Sequence, residues 1–188
     1  SRTDLYCKIY AVMELEKWDE ALECCEERLS MTPITDADKR MYHNRQAYAF
    51  NELKKYEDAI ACCNKVFEIK KNDWLAFLRK GFALGQLDRH EEAIECYDEV
   101  IAIWKNEIKD SPNVVTSSDA IDEVENMGDK VKTNIDILNA LNNKRWSLTR
   151  LNRHEDAVKC CNQFLAIEPQ NETFMLHKGY SLKMCNRL

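Results

Sequence analysis

The sequence predicts an all-α fold, a right-handed α–α superhelix of stacked antiparallel helical hairpins. Three observations carry this. A short motif recurs four times at a spacing built on 34 residues. Each recurrence holds two apolar periodicities of about 3.6 residues, separated by a short polar break. Gly (4) and Pro (3) are scarce in a chain of 188 residues, which disfavours a turn-rich β fold.

The motif reads Trp18-Asp19-Glu20-Ala21-Leu22, Tyr56-Glu57-Asp58-Ala59-Ile60, His90-Glu91-Glu92-Ala93-Ile94 and His154-Glu155-Asp156-Ala157-Val158. Its alanines lie 38, 34 and 64 residues apart, so 34 is the unit, with four residues added once and 30 inserted once. Units at 2–35, 40–73, 74–107 and 138–171 also align Leu15, Leu53, Leu87 and Leu151, three residues before the corner aromatic or His. A partial unit, or cap, occupies 172–188. The breaks at Leu53-Lys54-Lys55-Tyr56 and Leu87-Asp88-Arg89-His90 divide their units into two helices. The recurring Ala falls early in the second, where a small side chain lets helices approach closely. One hairpin cannot bury its apolar faces alone, but stacked neighbours can. The expectation is a single domain over 1–188.

These residues resemble the tetratricopeptide repeat family, over roughly 150 residues. Unit 74–107 carries the resemblance best, with Phe77, Gly81, Leu84, Ala93 and Tyr97 at the signature places. Unit 138–171 matches through Leu141, Leu148, Ala157 and Pro169, but holds Arg145 where a small residue is expected. Unit 2–35 departs with Ile9 at that same place and Arg28 where Ala is usual. The resemblance implies a groove lined by the first helices and a role in binding proteins.

Residues 108–137 interrupt the period. Asp110-Ser111-Pro112-Asn113 is a helix stop, and Thr116-Ser117-Ser118-Asp119 a helix start. Ile121, Val124, Val131, Ile135 and Leu138 then recur at helical steps. This predicts a helix from near Asp119 that runs into unit 138–171, with Gly128 as its fray point. The competing reading is an acidic loop.

Steps of 100° put the fourth, eighth and eleventh places of each first helix on the core side. The ninth place lies opposite and holds Tyr10, Tyr48, Phe82, Trp146 and Tyr180, an aromatic in every unit. Aromatic rings give large contact area with few rotors to freeze. Nearby, Asn44, Asn142 and Asn143 are candidate clamps for a peptide backbone, and Arg45 and Arg79 for a carboxylate. These ten residues form the candidate partner-binding set. The competing reading is that the aromatic column packs against the neighbouring unit. Some family members bind chaperone C-termini through a two-carboxylate clamp. Its places here hold Tyr6, Tyr10, Arg45, Leu75 and Arg79, of which only Arg79 matches, so that specificity is not expected.

The net charge of −6 argues against a nucleic-acid backbone or an anionic membrane as main partner. No run approaches 18 apolar residues and no signal peptide opens the chain. Ser1 is not an initiator Met, as expected of a fragment or a processed product. The nine cysteines, six in adjacent pairs, suit a reducing cytoplasmic compartment better than a disulfide scaffold. They lack metal-ligand spacing and read as small core residues. His90 and His154 hold the same corner place as Trp18 and Tyr56 and read as packing residues. No nucleophile elbow or phosphate loop occurs, so neither catalysis nor a cofactor is predicted. The functional expectation is a scaffold or adaptor that binds a peptide or helix of a partner. Two alternatives stay open. One is an assembly spacer that self-associates through its C-terminal edge, and the other is the targeting domain of a larger enzyme.

Overall fold

A computed structural model of the chain describes residues 2–110 and 127–186. The described residues form nine helices and no strand: α1 (Arg2–Glu14), α2 (Trp18–Ser30), α3 (Asp36–Glu52), α4 (Tyr56–Ile69), α5 (Trp74–Gln86), α6 (His90–Asp110), α7 (Met127–Arg150), α8 (His154–Ile167) and α9 (Glu172–Cys185). Two compact units divide the chain, Ser1–Asp88 with α1 to α5 and Arg89–Leu188 with α6 to α9. In the first, each helix packs on the next and α3 also touches α5; in the second, α6, α7, α8 and α9 pack in sequence.

The hairpin turns share one backbone solution. Glu16, Lys54, Asp88 and Asn152 fall at the same place in their units, and all have positive φ, between 54° and 59°. In the turn after α3, the Lys54 N–H donates to the Asn51 carbonyl (3.0 Å) and the Lys55 N–H to the Phe50 carbonyl (2.8 Å). Those two bonds close the helix end by the six-to-one and five-to-two pattern that usually carries glycine. None of the four residues is glycine, so each turn holds an L-residue where the left-handed region disfavours its Cβ.

Of the helices that follow these turns, α2, α4 and α8 start without a side-chain cap. They carry acids in their first turn instead, such as Asp19 and Glu20 in α2, which favour the positive end of the helix dipole. By contrast α3, α5 and α9 are capped by side chains. Thr35, Asp73 and Asn171 accept from the Asp38, Ala76 and Phe174 amides at 3.1, 2.9 and 3.1 Å.

Ala21, Ala59, Ala93 and Ala157 are all buried, as close helix approach requires. Cys24, Cys25, Cys62, Cys63, Cys96, Cys160 and Cys161 are buried too. In the first unit, Cys25 packs with Leu5, Ile9 and Tyr42, and Cys63 with Ala47, Val66 and Ala76. In the second, Cys161 packs with Leu141, Leu148 and Phe164. Departures from the repeat pattern are absorbed locally. Arg28, nearly fully buried, pairs with Asp38 at 3.3 Å and lies 5.6 Å from the Tyr42 ring. Arg145 donates to Asn142 at 3.1 Å, with its guanidinium 5.6 Å from the Phe174 ring.

α7 spans 24 residues and already runs as helix from Met127, so residues 127–137 extend the first helix of unit 138–171. The expected start near Asp119 lies outside the described residues. α9, expected to cap the stack with a solvated face, instead leaves Met175, Leu176 and Leu182 exposed. The cause is its register: Met175 and Leu182 hold the places that face the core in the earlier first helices.

Candidate functional site

The ninth-place column faces solvent in part at all five positions. Relative exposure is 58% for Tyr10, 37% for Tyr48, 36% for Phe82, 39% for Trp146 and 53% for Tyr180. Four of these rings also touch the corner residue of the preceding hairpin. In the first unit Tyr48 meets Trp18 at a centroid distance of 5.4 Å, and Phe82 meets Tyr56 at 6.4 Å. In the second, Trp146 meets His90 at 5.1 Å and Tyr180 meets His154 at 6.4 Å. All four contacts are edge-on, with interplanar angles from 69° to 89°. Each of these four rings thus has one edge held by the neighbouring hairpin while the rest stays open. An exposed ring with a fixed edge has little freedom left to lose on binding.

The polar residues beside the column divide into engaged and open groups. Asn44 is buried; its Nδ2 donates to Asp73 Oδ1 at 3.3 Å, and its backbone carbonyl accepts from Arg79. The Asn44 side chain thus braces α3 against the start of α5, at the floor of a cleft between them. Asn143 is half-buried and hydrogen-bonds the Tyr97 side chain, whose hydroxyl burial pushes well above the usual tyrosine range. Asn142 is exposed and accepts from Arg145. The guanidinium of Arg79 lies 5.5 Å from the Tyr48 ring, and that of Arg45 lies 4.6 Å from Tyr6. Burial raises the Tyr48 hydroxyl pKa and Glu52 adds to the shift, so the phenol stays protonated at neutral pH.

Asp73 organises the first unit's part of this face. It is buried, caps α5 through Oδ1, holds Asn44 through the same oxygen, and takes Arg40 Nη1 on Oδ2 at 2.8 Å. Beside it opens a cleft of about 330 Å³, walled by Met41, Trp74 and Leu75 and edged by Arg40, Arg45 and Arg79. Arg45 and Arg79 follow from helical spacing in the sequence, whereas Arg40, Asp73 and the cleft do not. An acid immediately before a helix is a cap signal, and that signal was available for Asp73. Its grip on Arg40, 33 residues earlier, was not.

Burial pushes the thiols of Cys25, Cys62 and Cys160 up to about 12, 11 and 12. The Cys160 Sγ–H also donates to the Leu141 carbonyl at 3.1 Å. At neutral pH these are protonated core groups, not nucleophiles. Among the described residues, no helix is long and apolar enough to cross a membrane, and no cluster of three or more His, Cys, Asp or Glu could hold a metal ion.

Repeated helical hairpins, each presenting a partly open aromatic ring, make this a helical-repeat module. The tetratricopeptide repeat family model matches residues 42–73 and 76–103, which lie inside the repeats at 40–73 and 74–107. Solved structures of that class share the fold at low sequence identity. The first such domain of Spaghetti (RPAP3), bound to the HSP90 peptide SRMEEVD, is 21% identical over 80% of this chain and 92% of its own, with a TM-score of 0.54. The TPR2B domain of yeast Sti1, in complex with an Hsp70 peptide, is 18% identical over 74% of this chain and 94% of its own, with a TM-score of 0.51. MamA from Desulfovibrio magneticus RS-1 is 13% identical over 96% of this chain and 82% of its own, with a TM-score of 0.62. A comparison with curated protein sequences gave no match. Tetratricopeptide domains act as protein–protein interaction modules, and two of these neighbours carry a peptide.

Proposed function

We propose that the chain is a non-catalytic scaffold or adaptor module that binds a peptide or helical segment of a partner protein on the open faces of its first helices. The observation that carries this reading is the set of partly exposed, edge-held rings at Tyr10, Tyr48 and Phe82 in the first unit and Trp146 and Tyr180 in the second. Such rings provide rigid apolar contact at low entropic cost, and binding-energy hot spots concentrate on Trp, Tyr and Arg. Asn142, Arg45 and Arg79 supply polar contacts at the margins, while Asn44 and Asn143 support the face from behind. Seven buried free thiols suit a reducing, cytoplasmic setting. The test is a Tyr48→Ala/Trp146→Ala double variant, checked for intact helicity and assayed against a captured partner. Loss of at least about tenfold in affinity is expected; unchanged affinity sinks the reading.

A second reading, self-association, has its own motivating observation. Met175, Leu176 and Leu182 leave α9 with an exposed apolar face, and Leu176 is 75% exposed. Light scattering across a concentration series separates the two, since a strict monomer rules out self-association.

A further inference from the structure

We infer that the exposed face of α9, centred on Gly179, docks on the same face of a second copy of this chain, the two helices crossing antiparallel so that Glu172 of each copy meets Lys183 of the other. This rests on the self-association reading above and adds to it the surface, the orientation and the register.

Helical steps of about 100° divide α9 into two sides. Phe174 and Ser181 are buried and mark the side that packs on its neighbour α8. Glu172, Met175, Leu176, Gly179, Leu182 and Lys183 are exposed and fall on the opposite side, within about 60° of Gly179. Met175, Leu176 and Leu182 thus form one open apolar patch around Gly179. A Cβ at Gly179 would meet nothing within 4 Å, so no described part of this chain uses the close approach a glycine permits. Glycine in mid-helix weakens the helix relative to alanine, but it lets a second helix cross closely at that point. The face is also its own complement. About a two-fold axis through Gly179, residues equally far before and after it meet across an antiparallel pair. Leu176, three residues before, meets Leu182 of the second copy, three residues after. Met175 lies over the aliphatic stem of the second copy's Lys183. Glu172 comes within about one helical turn of that same Lys183, close enough for an ion pair. Within one chain these two are 11 residues apart, roughly 16 Å along the helix, and cannot pair. A parallel copy would instead set Glu172 against Glu172 and Lys183 against Lys183. Antiparallel helix dipoles favour the same arrangement. With 14 residues α9 is about 21 Å long, so this crossing buries less than the roughly 1,200 Å² at which stable interfaces begin. The dimer is therefore weak and reversible, with a Kd on the order of 100 µM.

The test is sedimentation equilibrium of the full chain from about 10 µM to about 1 mM, a range that brackets the expected Kd. The wild-type mass should rise toward that of two chains. L176Q should weaken the dimer about tenfold or more. E172K and K183E each bring like charges together, and each should weaken it by several-fold, about three to ten. The E172K/K183E double variant restores both pairs with the charges exchanged and should recover most of the loss. High salt should narrow the differences among the charge variants. All three substituted side chains are exposed, so helicity by circular dichroism should match the wild type. A strict monomer at about 1 mM overturns this dimer and the self-association reading together. A dimer that L176Q leaves unchanged overturns the α9 surface and leaves self-association standing. A dimer that L176Q weakens, but that the double exchange does not rescue, overturns the antiparallel register. The partner-binding reading is independent of all three results.

Discussion

Trp18 meets Tyr48 edge-on, with ring centroids 5.4 Å apart and planes inclined at 89°. Trp18 opens α2 and Tyr48 lies in the middle of α3, so the contact joins the corner of one hairpin to the open face of the next. The same pairing recurs between Tyr56 and Phe82, His90 and Trp146, and His154 and Tyr180. The corner residues thus serve two purposes. They close their own hairpin, and they fix the orientation of a ring that faces solvent.

That pairing predicts a measurable coupling. A double-mutant cycle with Trp18→Leu and Tyr48→Leu, followed by urea unfolding, should give an interaction energy of about 1 kcal/mol. A coupling near zero would mean the edge contact holds nothing.

Asp73 predicts a second effect. Asp73→Ala removes the α5 cap and strips the partner from Asn44 and from Arg40, which is itself partly exposed. A loss of roughly 2 kcal/mol of stability is expected by chemical denaturation. Asp73→Asn keeps a capping oxygen and should cost about half as much.

The four left-handed turn residues predict a gain. Lys54 has φ of 59°, where glycine meets no Cβ penalty. Lys54→Gly should therefore stabilise the chain by about 0.5–1 kcal/mol despite its more flexible unfolded state. Thermal melts of the variant check this, and a destabilised protein would contradict the turn assignment.

The buried thiols predict both reactivity and pH dependence. Cys7 is exposed, so an alkylating agent at mildly alkaline pH should label it well before Cys25, Cys62 or Cys160 in the native chain. In denaturant the difference should vanish. The folded pKa values of about 12, 11 and 12 lie above the ordinary thiol value of 9.0. The unfolded state therefore loses these protons first. Their contribution to stability is complete below about pH 9 and is lost as pH rises toward the folded values, by up to about 1.4 kcal/mol per thiol for each pH unit. Urea midpoints at neutral pH and near pH 10 measure the loss.

Much of the architecture was legible before any coordinates. A helix turns 100° per residue, so spacing alone fixes which side chains share a face. That is why Ala21, Ala59, Ala93 and Ala157 are buried, and why Tyr10, Tyr48, Phe82, Trp146 and Tyr180 face outward, as their places imply. The unit length of 34 residues likewise fixes the hairpins, because each needs its neighbour to cover its apolar face.

Partnership was settled only in three dimensions. Asn44 and Asn143 lie beside the open face by spacing, yet Asp73 and Tyr97 engage them. Arg40 joins the cleft through a residue 33 positions away. Helical phase orients a side chain along its own helix. What that side chain meets depends on how far and at what angle the next helix lies, a quantity set by the packing of many side chains at once and written at no single position.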